Sequence, residues 1–119
     1  MGIQGGSNIA MKVPTAEFDV VVGAYRALGL PVLHSSNDMV SFQFGAIQLH
    51  IDRRDHFSQA ELWLELTTDD LDDAARVTEE SGFARCDEIE ELAGYNGFWI
   101  KSPASIVHLV SLSSDESPS

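Results

Sequence analysis

The sequence predicts an α+β domain made of two βαβββ modules, and three observations predict it. The order of local signals repeats: Ala10-Met11-Lys12-Val13-Pro14-Thr15 lines up with Trp63-Leu64-Glu65-Leu66-Thr67-Thr68, and Leu28-Gly29-Leu30 with Ser81-Gly82-Phe83, a spacing of 53 residues (82 − 29). Each copy reads as a strand, a helix and a run of strands. Apolar residues alternate in the strand segments and recur at helical spacing in the helix segments. A long period present only twice argues for one pseudo-symmetric domain with a site where the halves meet, not for a solenoid.

The elements follow in order. Asn8 to Val13 reads as a strand, and Pro14-Thr15 ends it and starts a helix. On that helix Phe18, Val21, Val22, Tyr25 and Leu28 form one apolar stripe. Gly29 is a C-terminal stop and Pro31 forbids continuation. Val32 to Ser35 is a short strand and Ser36-Asn37-Asp38 a turn. Met39 to Phe44 alternates, with Val40, Phe42 and Phe44 on one face. Gly45-Ala46 turns the chain into Ile47 to Ile51, with Gln48 and His50 on the polar face.

Arg53 to Ser58 is a polar linker. The second copy begins at Glu61 to Leu66, with Leu62, Leu64 and Leu66 on one face and Glu61, Trp63 and Glu65 on the other. Thr67-Thr68 leads into a helix carrying Leu71, Ala74, Ala75 and Thr78, and Gly82 ends it. Strands are expected over Ala84–Glu91, Gly97–Lys101 and Ile106–Leu112, with turns at Ala93-Gly94-Tyr95-Asn96 and Ser102-Pro103-Ala104-Ser105. The expected organisation is a flexible N-terminus over residues 1–7, module one over 8–58, module two over 59–112, and a disordered tail over 113–119.

Composition narrows the function classes. The 119 residues carry 19 acids against 7 bases, a net charge of −12, which argues against nucleic acid and anionic membranes as partners. No segment is long and apolar enough to span a bilayer, and residues 1–7 lack the charged and apolar regions of a signal peptide, so a cytoplasmic location is expected. The acids Asp69, Asp70, Asp72, Asp73, Glu79 and Glu80 read as a solvated helix face, partly favoured by the helix dipole. The single cysteine, Cys86, excludes an intrachain disulfide and reads as a small semi-buried hydrophobe on a strand.

Several segments together resemble the vicinal oxygen chelate superfamily of glyoxalases, bleomycin-resistance proteins and extradiol dioxygenases. Ala24-Tyr25-Arg26-Ala27-Leu28-Gly29-Leu30 is similar to the family's "FYRDxLGL" helix end. Phe44 to Ile51 resembles its fourth strand, and Glu61 to Leu71 its fifth strand and "DLD" helix start. Gly97-Phe98-Trp99-Ile100-Lys101-Ser102-Pro103 resembles its "xFxDPDG" turn. The resemblance implies a cup-shaped mixed sheet closed by the two modules, and a homodimer.

It also implies where a divalent ion would sit, on side chains of the first, fourth, fifth and eighth strands. Those positions fall on Asn8, His50, Glu61 (8 + 53 = 61) and either His108 or Leu109, depending on register. The usual ligand set is therefore not kept. His50, Glu61 and His108 would suit one divalent Fe, Mn, Ni, Co or Zn. Asn8, Trp63 and Trp99 are the expected substrate contacts, with Trp63 as a pocket wall. His34 and His56 sit at a strand end and in the linker, and Arg53-Arg54 reads as solvated linker. Two functions are implied. One is a metal-dependent lyase, isomerase or dioxygenase acting on a small oxygenated molecule. The alternative, which Asn8 favours and Leu109 would favour if it is the eighth-strand position, is a metal-free binding or sequestering protein of the bleomycin-resistance type; the reading leans to the enzyme.

Overall fold

A computed structural model describes residues 2–92, 94 and 96–113. The expected tail from Ser114 onward, and Ala93 and Tyr95 of the third turn, lie outside the described residues. Among the described residues the fold is mixed α+β, with two helices and a strand pattern that occurs once in each of two compact units, residues 7–63 and residues 2–6 with those from 64 onward.

In the first unit, β2 (Asn8–Pro14) leads directly into α1 (Thr15–Ala27), followed by β3 (Val32–Ser35), β4 (Met39–Phe44) and β5 (Ile47–Arg54). Strand β5 lies between β4, antiparallel to it, and β2, parallel to it with Ala10 opposite His50 and Lys12 opposite Asp52. The first residues of β6 (Glu61–Thr68) extend this sheet antiparallel to β2, with Trp63 opposite Ala10 and Glu61 opposite Lys12. Alternation decides which face is buried. Val13, Val40, Phe42, Leu49 and Ile51 pack with Phe18 and Val22 of α1, flanked by Val21 and Tyr25. Leu28 leaves the expected stripe. It is the C-cap residue and is 71% exposed, because the helix has already ended and Gly29 turns away at φ 84°.

The second unit repeats the plan. The remainder of β6 precedes α2 (Leu71–Glu80), β7 (Ala84–Arg85), β8 (Gly97–Lys101) and β9 (Val107–Leu112). Strand β9 is parallel to β6 and antiparallel to β8, as β5 is parallel to β2 and antiparallel to β4. Asp70 caps α2 through its carboxylate, which accepts the Asp73 N–H at 3.1 Å. Ala74 of α2 packs on Phe98, Ile100 and Val110. Ile3–Gly5 forms β1, antiparallel to β6 with Ile3 opposite Thr68.

One expected strand is shorter than the sequence suggested. Ala84–Glu91 is a strand only over Ala84–Arg85, and Asp87–Ile89 is a 3₁₀ turn. Asp87 explains the break: its Oδ1 accepts the Trp99 N–H at 2.9 Å, replacing a backbone partner, and Arg85 pairs with the same carboxylate.

Candidate functional site

The polar face of the first unit's sheet gathers most of the candidate side chains. Strand alternation and cross-strand pairing put Asn8 and Lys12 of β2, Ser41 and Gln43 of β4, His50 and Asp52 of β5, and Glu61 and Trp63 of β6 on the side away from the α1 core. His50 is held from both sides. Its Nε2 lies 2.7 Å from Asn8 Oδ1 and its Nδ1 2.6 Å from Oγ of Ser41, its cross-strand partner. Burial lowers its pKa below the ordinary imidazole value of 6.5; Asp52 opposes the shift, while Lys12 and His34 add to it. The ring is therefore neutral at physiological pH, with one N–H and one lone pair.

Beside it lies a buried ion pair that sequence reasoning missed. Lys12 Nζ donates to Asp52 Oδ2 at 2.7 Å, and the two residues are 3% and 7% exposed. Arg54 approaches the same carboxylate at 3.8 Å. The Lys12 ammonium also sits 4.4 Å from the centre of the Trp63 ring. Trp63 Nε1 donates to Glu61 Oε1 at 3.0 Å, and Phe57 packs against its indole at 6.1 Å. Trp63 is thus a packed wall, 2% exposed, and its neighbour Glu61 is exposed.

The structure brings some expected residues together and leaves others apart. Asn8 and His50 are in direct contact. Glu61 shares their face, but β2 lies between β5 and β6. Glu61 is level with Lys12 and Asp52, and His50 with Ala10 and Trp63, so two strand spacings and a two-residue offset put the Glu61 backbone about 12 Å from that of His50. In the second unit, His108 is level with Leu64 and Ile100, on the face covered by α2. Its Nδ1 lies 3.0 Å from the Ile106 carbonyl oxygen, and its ring meets Phe83 edge-on. Leu109 takes the opposite face, paired with Trp99 and Glu65. Trp99 is buried, its N–H given to Asp87. His34 and His56 are exposed. Arg53 is no free linker cation: it donates to the Asn37 carbonyl at 2.8 Å and lies over the Phe18 ring. Among the described residues, no group of three or more His, Cys, Asp and Glu side chains is arranged to hold a metal ion, and no helix is long and apolar enough to cross a membrane.

Among solved structures the chain is similar to a Mn(II)-bound glyoxalase from Novosphingobium aromaticivorans, with a TM-score of 0.67 and 17% identity over 93% of this chain. It is similar to a methylmalonyl-CoA epimerase from Mycobacterium tuberculosis at 0.62 and 15%, covering 92% of this chain and 88% of the epimerase. It is also similar to a variant of homoprotocatechuate 2,3-dioxygenase from B. fuscum at 0.58 and 16%, over 93% of this chain. The chain spans only 39% of the length of that glyoxalase and 33% of that dioxygenase. No protein-family model matches the sequence, and no curated protein matches it. The strand-helix-strand order of each unit, the parallel pairing of its first and last strands, and these likenesses together establish that the chain has the vicinal oxygen chelate fold.

Proposed function

We propose that this chain binds a small oxygenated molecule on the polar face of its first unit through hydrogen bonds, without a resident divalent metal, as a binding or sequestering protein. The observation that carries this reading is that His50 is already engaged at both ring nitrogens, by Asn8 and Ser41. The donors present do not fit a divalent ion. The first-strand position is a neutral amide, a weak ligand, and Leu109 carries no donor at all. His108 lies against Phe83 on the helix-covered face of its own unit.

What the face does offer is hydrogen bonding. Asn8, Ser41 and His50 form a chain of donors and acceptors, and Lys12 and Asp52 form a mutually neutralised pair beside it. Such a surface suits hydroxyl, carbonyl and carboxylate oxygens. The similar solved structures are named for acting on small molecules, which supports a ligand of that size. The homodimer implied by the family resemblance belongs to the same proposal, and sedimentation of the purified chain at twice its monomer mass tests it.

The deciding experiment measures metal content and melting temperature of the purified chain with and without chelator, then with added Mn, Fe, Co, Ni and Zn. The expected result is no stoichiometric metal and no shift. A melting shift with members of a panel of catechols, α-hydroxy acids and acyl thioesters, lost in His50→Ala, is the expected positive signal. A stoichiometric ion whose removal lowers stability would replace this reading with the metal-dependent enzyme of the lyase, isomerase or dioxygenase type.

A further inference from the structure

The contact between Asn8 and His50 links two strands whose side chains are 42 residues apart in sequence. A neutral imidazole has one N–H and one lone pair, and the partners decide which nitrogen carries which. Asn8 Oδ1 can only accept, so at 2.7 Å it takes the hydrogen of Nε2. Nδ1 then carries the lone pair, and Ser41 Oγ, 2.6 Å away, donates to it. The opposite tautomer sets the Nε2 lone pair against the amide oxygen. Ser41 is 2% exposed, so its hydroxyl cannot turn to water instead. With the Asn8 amide oxygen facing the ring, both bonds are satisfied in one tautomer only.

A metal takes a histidine nitrogen through its lone pair, so a nitrogen held as N–H is withheld. On this face Nε2 is held by Asn8, and the Nδ1 lone pair is covered by the buried hydroxyl of Ser41. We infer that Asn8 is the residue that closes this face to divalent metal, by fixing His50 with its hydrogen on Nε2, and that specificity for a metal-free ligand is set here and not at Glu61. The inference rests on the metal-free reading of the site. It goes further by assigning the exclusion to one side chain and one tautomer.

The test uses the full chain and two variants, Asn8→His and Asn8→Ala, each confirmed folded by its amide spectrum. Long-range ¹H–¹⁵N spectra report the His50 tautomer, and titration with Co(II), followed by its visible bands and by calorimetry, reports metal uptake. The wild type is expected to show the hydrogen on Nε2 and to take up no Co(II). Asn8→Ala is expected to show mixed tautomers, which keeps the test decisive if Asn8→His does not fold. Asn8→His is expected to take up Co(II) where the wild type takes up none. A wild-type ring with its hydrogen on Nδ1, or an Asn8→Ala ring that keeps the wild-type tautomer, overturns the role of Asn8 and leaves the metal-free reading standing. So does a folded Asn8→His that ignores Co(II). Co(II) binding by the wild type, with Asn8 in place, overturns the metal-free reading itself.

Discussion

Lys12 shows what a single residue on this face contributes. Its ammonium is nearly inaccessible, and Asp52 balances it at 2.7 Å with Trp63 stacked on the other side. Removing one partner of such a pair leaves a buried charge uncompensated. Lys12→Met is therefore expected to lower unfolding free energy by about 3–5 kcal/mol, and Lys12→Met with Asp52→Leu to recover most of that loss. Urea denaturation of the three proteins checks it; equal losses in the single and double variants would mean that the pair itself matters little. Sequence made Lys12 visible only as a charge between Met11 and Val13 on an alternating strand. Its partner lies 40 residues on, and nothing local in either segment announces the pairing. His50, by contrast, was legible, because it interrupts Leu49 and Ile51 on the polar side of a plain alternation.

His50 also carries a pH dependence whose sign can be worked out. Burial lowers its folded pKa below 6.5, so between that value and the folded pKa the unfolded chain binds more protons than the folded one. Stability from this group is complete above about pH 6.5 and is lost as pH falls toward the folded pKa. His50→Gln is expected to flatten the dependence of the urea midpoint on pH over that window. A slope unchanged by the substitution would assign the dependence to other groups.

At the scale of elements, Gly97 is needed for close approach and not for an unusual turn. A Cβ there would lie 2.2 Å from the Val110 carbonyl oxygen of the paired strand β9. Gly97→Ala must push β8 from β9 and is expected to cost about 1–3 kcal/mol. Asp70→Ala removes the cap of α2 and is expected to cost about 1 kcal/mol. Thermal or urea unfolding of each variant measures both effects, and a neutral Gly97→Ala would show that the two strands can separate freely. Both helices and most strands were legible because their apolar spacing is local. Two features were not. The Ala84–Glu91 segment has strand-like residues, but Asp87 captures the Trp99 N–H and curls the chain. The register of β9 cannot be read from Val107-His108-Leu109-Val110, where either alternate set is plausible as the buried face; pairing of His108 with Ile100 and Leu64 decides it.

For the whole molecule, the repeat was the most informative sequence signal, because it fixed the number of modules before any element was assigned. The role of Ile3–Gly5 as a strand beside β6 was hidden, since three residues in a Gly-rich stretch carry no periodicity. Charge acts at this scale too. With a net −12 on 119 residues, self-repulsion opposes the folded state and salt screens it. Melting temperature is expected to rise by a few degrees between about 20 mM and 300 mM NaCl, a range over which the screening length falls severalfold. A fall on adding salt would mean that local ion pairs outweigh the general repulsion.

The parallel pairing of β2 with β5 bears on the order of assembly. The first of these strands leaves the ribosome roughly forty residues ahead of its neighbour. Until β5 arrives, Asn8 has no ring to hold and the inner edge of β2 has no ladder on that side. Hairpins such as β4–β5 can zip from a nearby turn, whereas this junction must bring distant ends together and lags behind them. The contact between Asn8 and His50 is thus among the latest to form in its unit, and a slow step in refolding should be visible in the environment of His50 before it is visible in helix content.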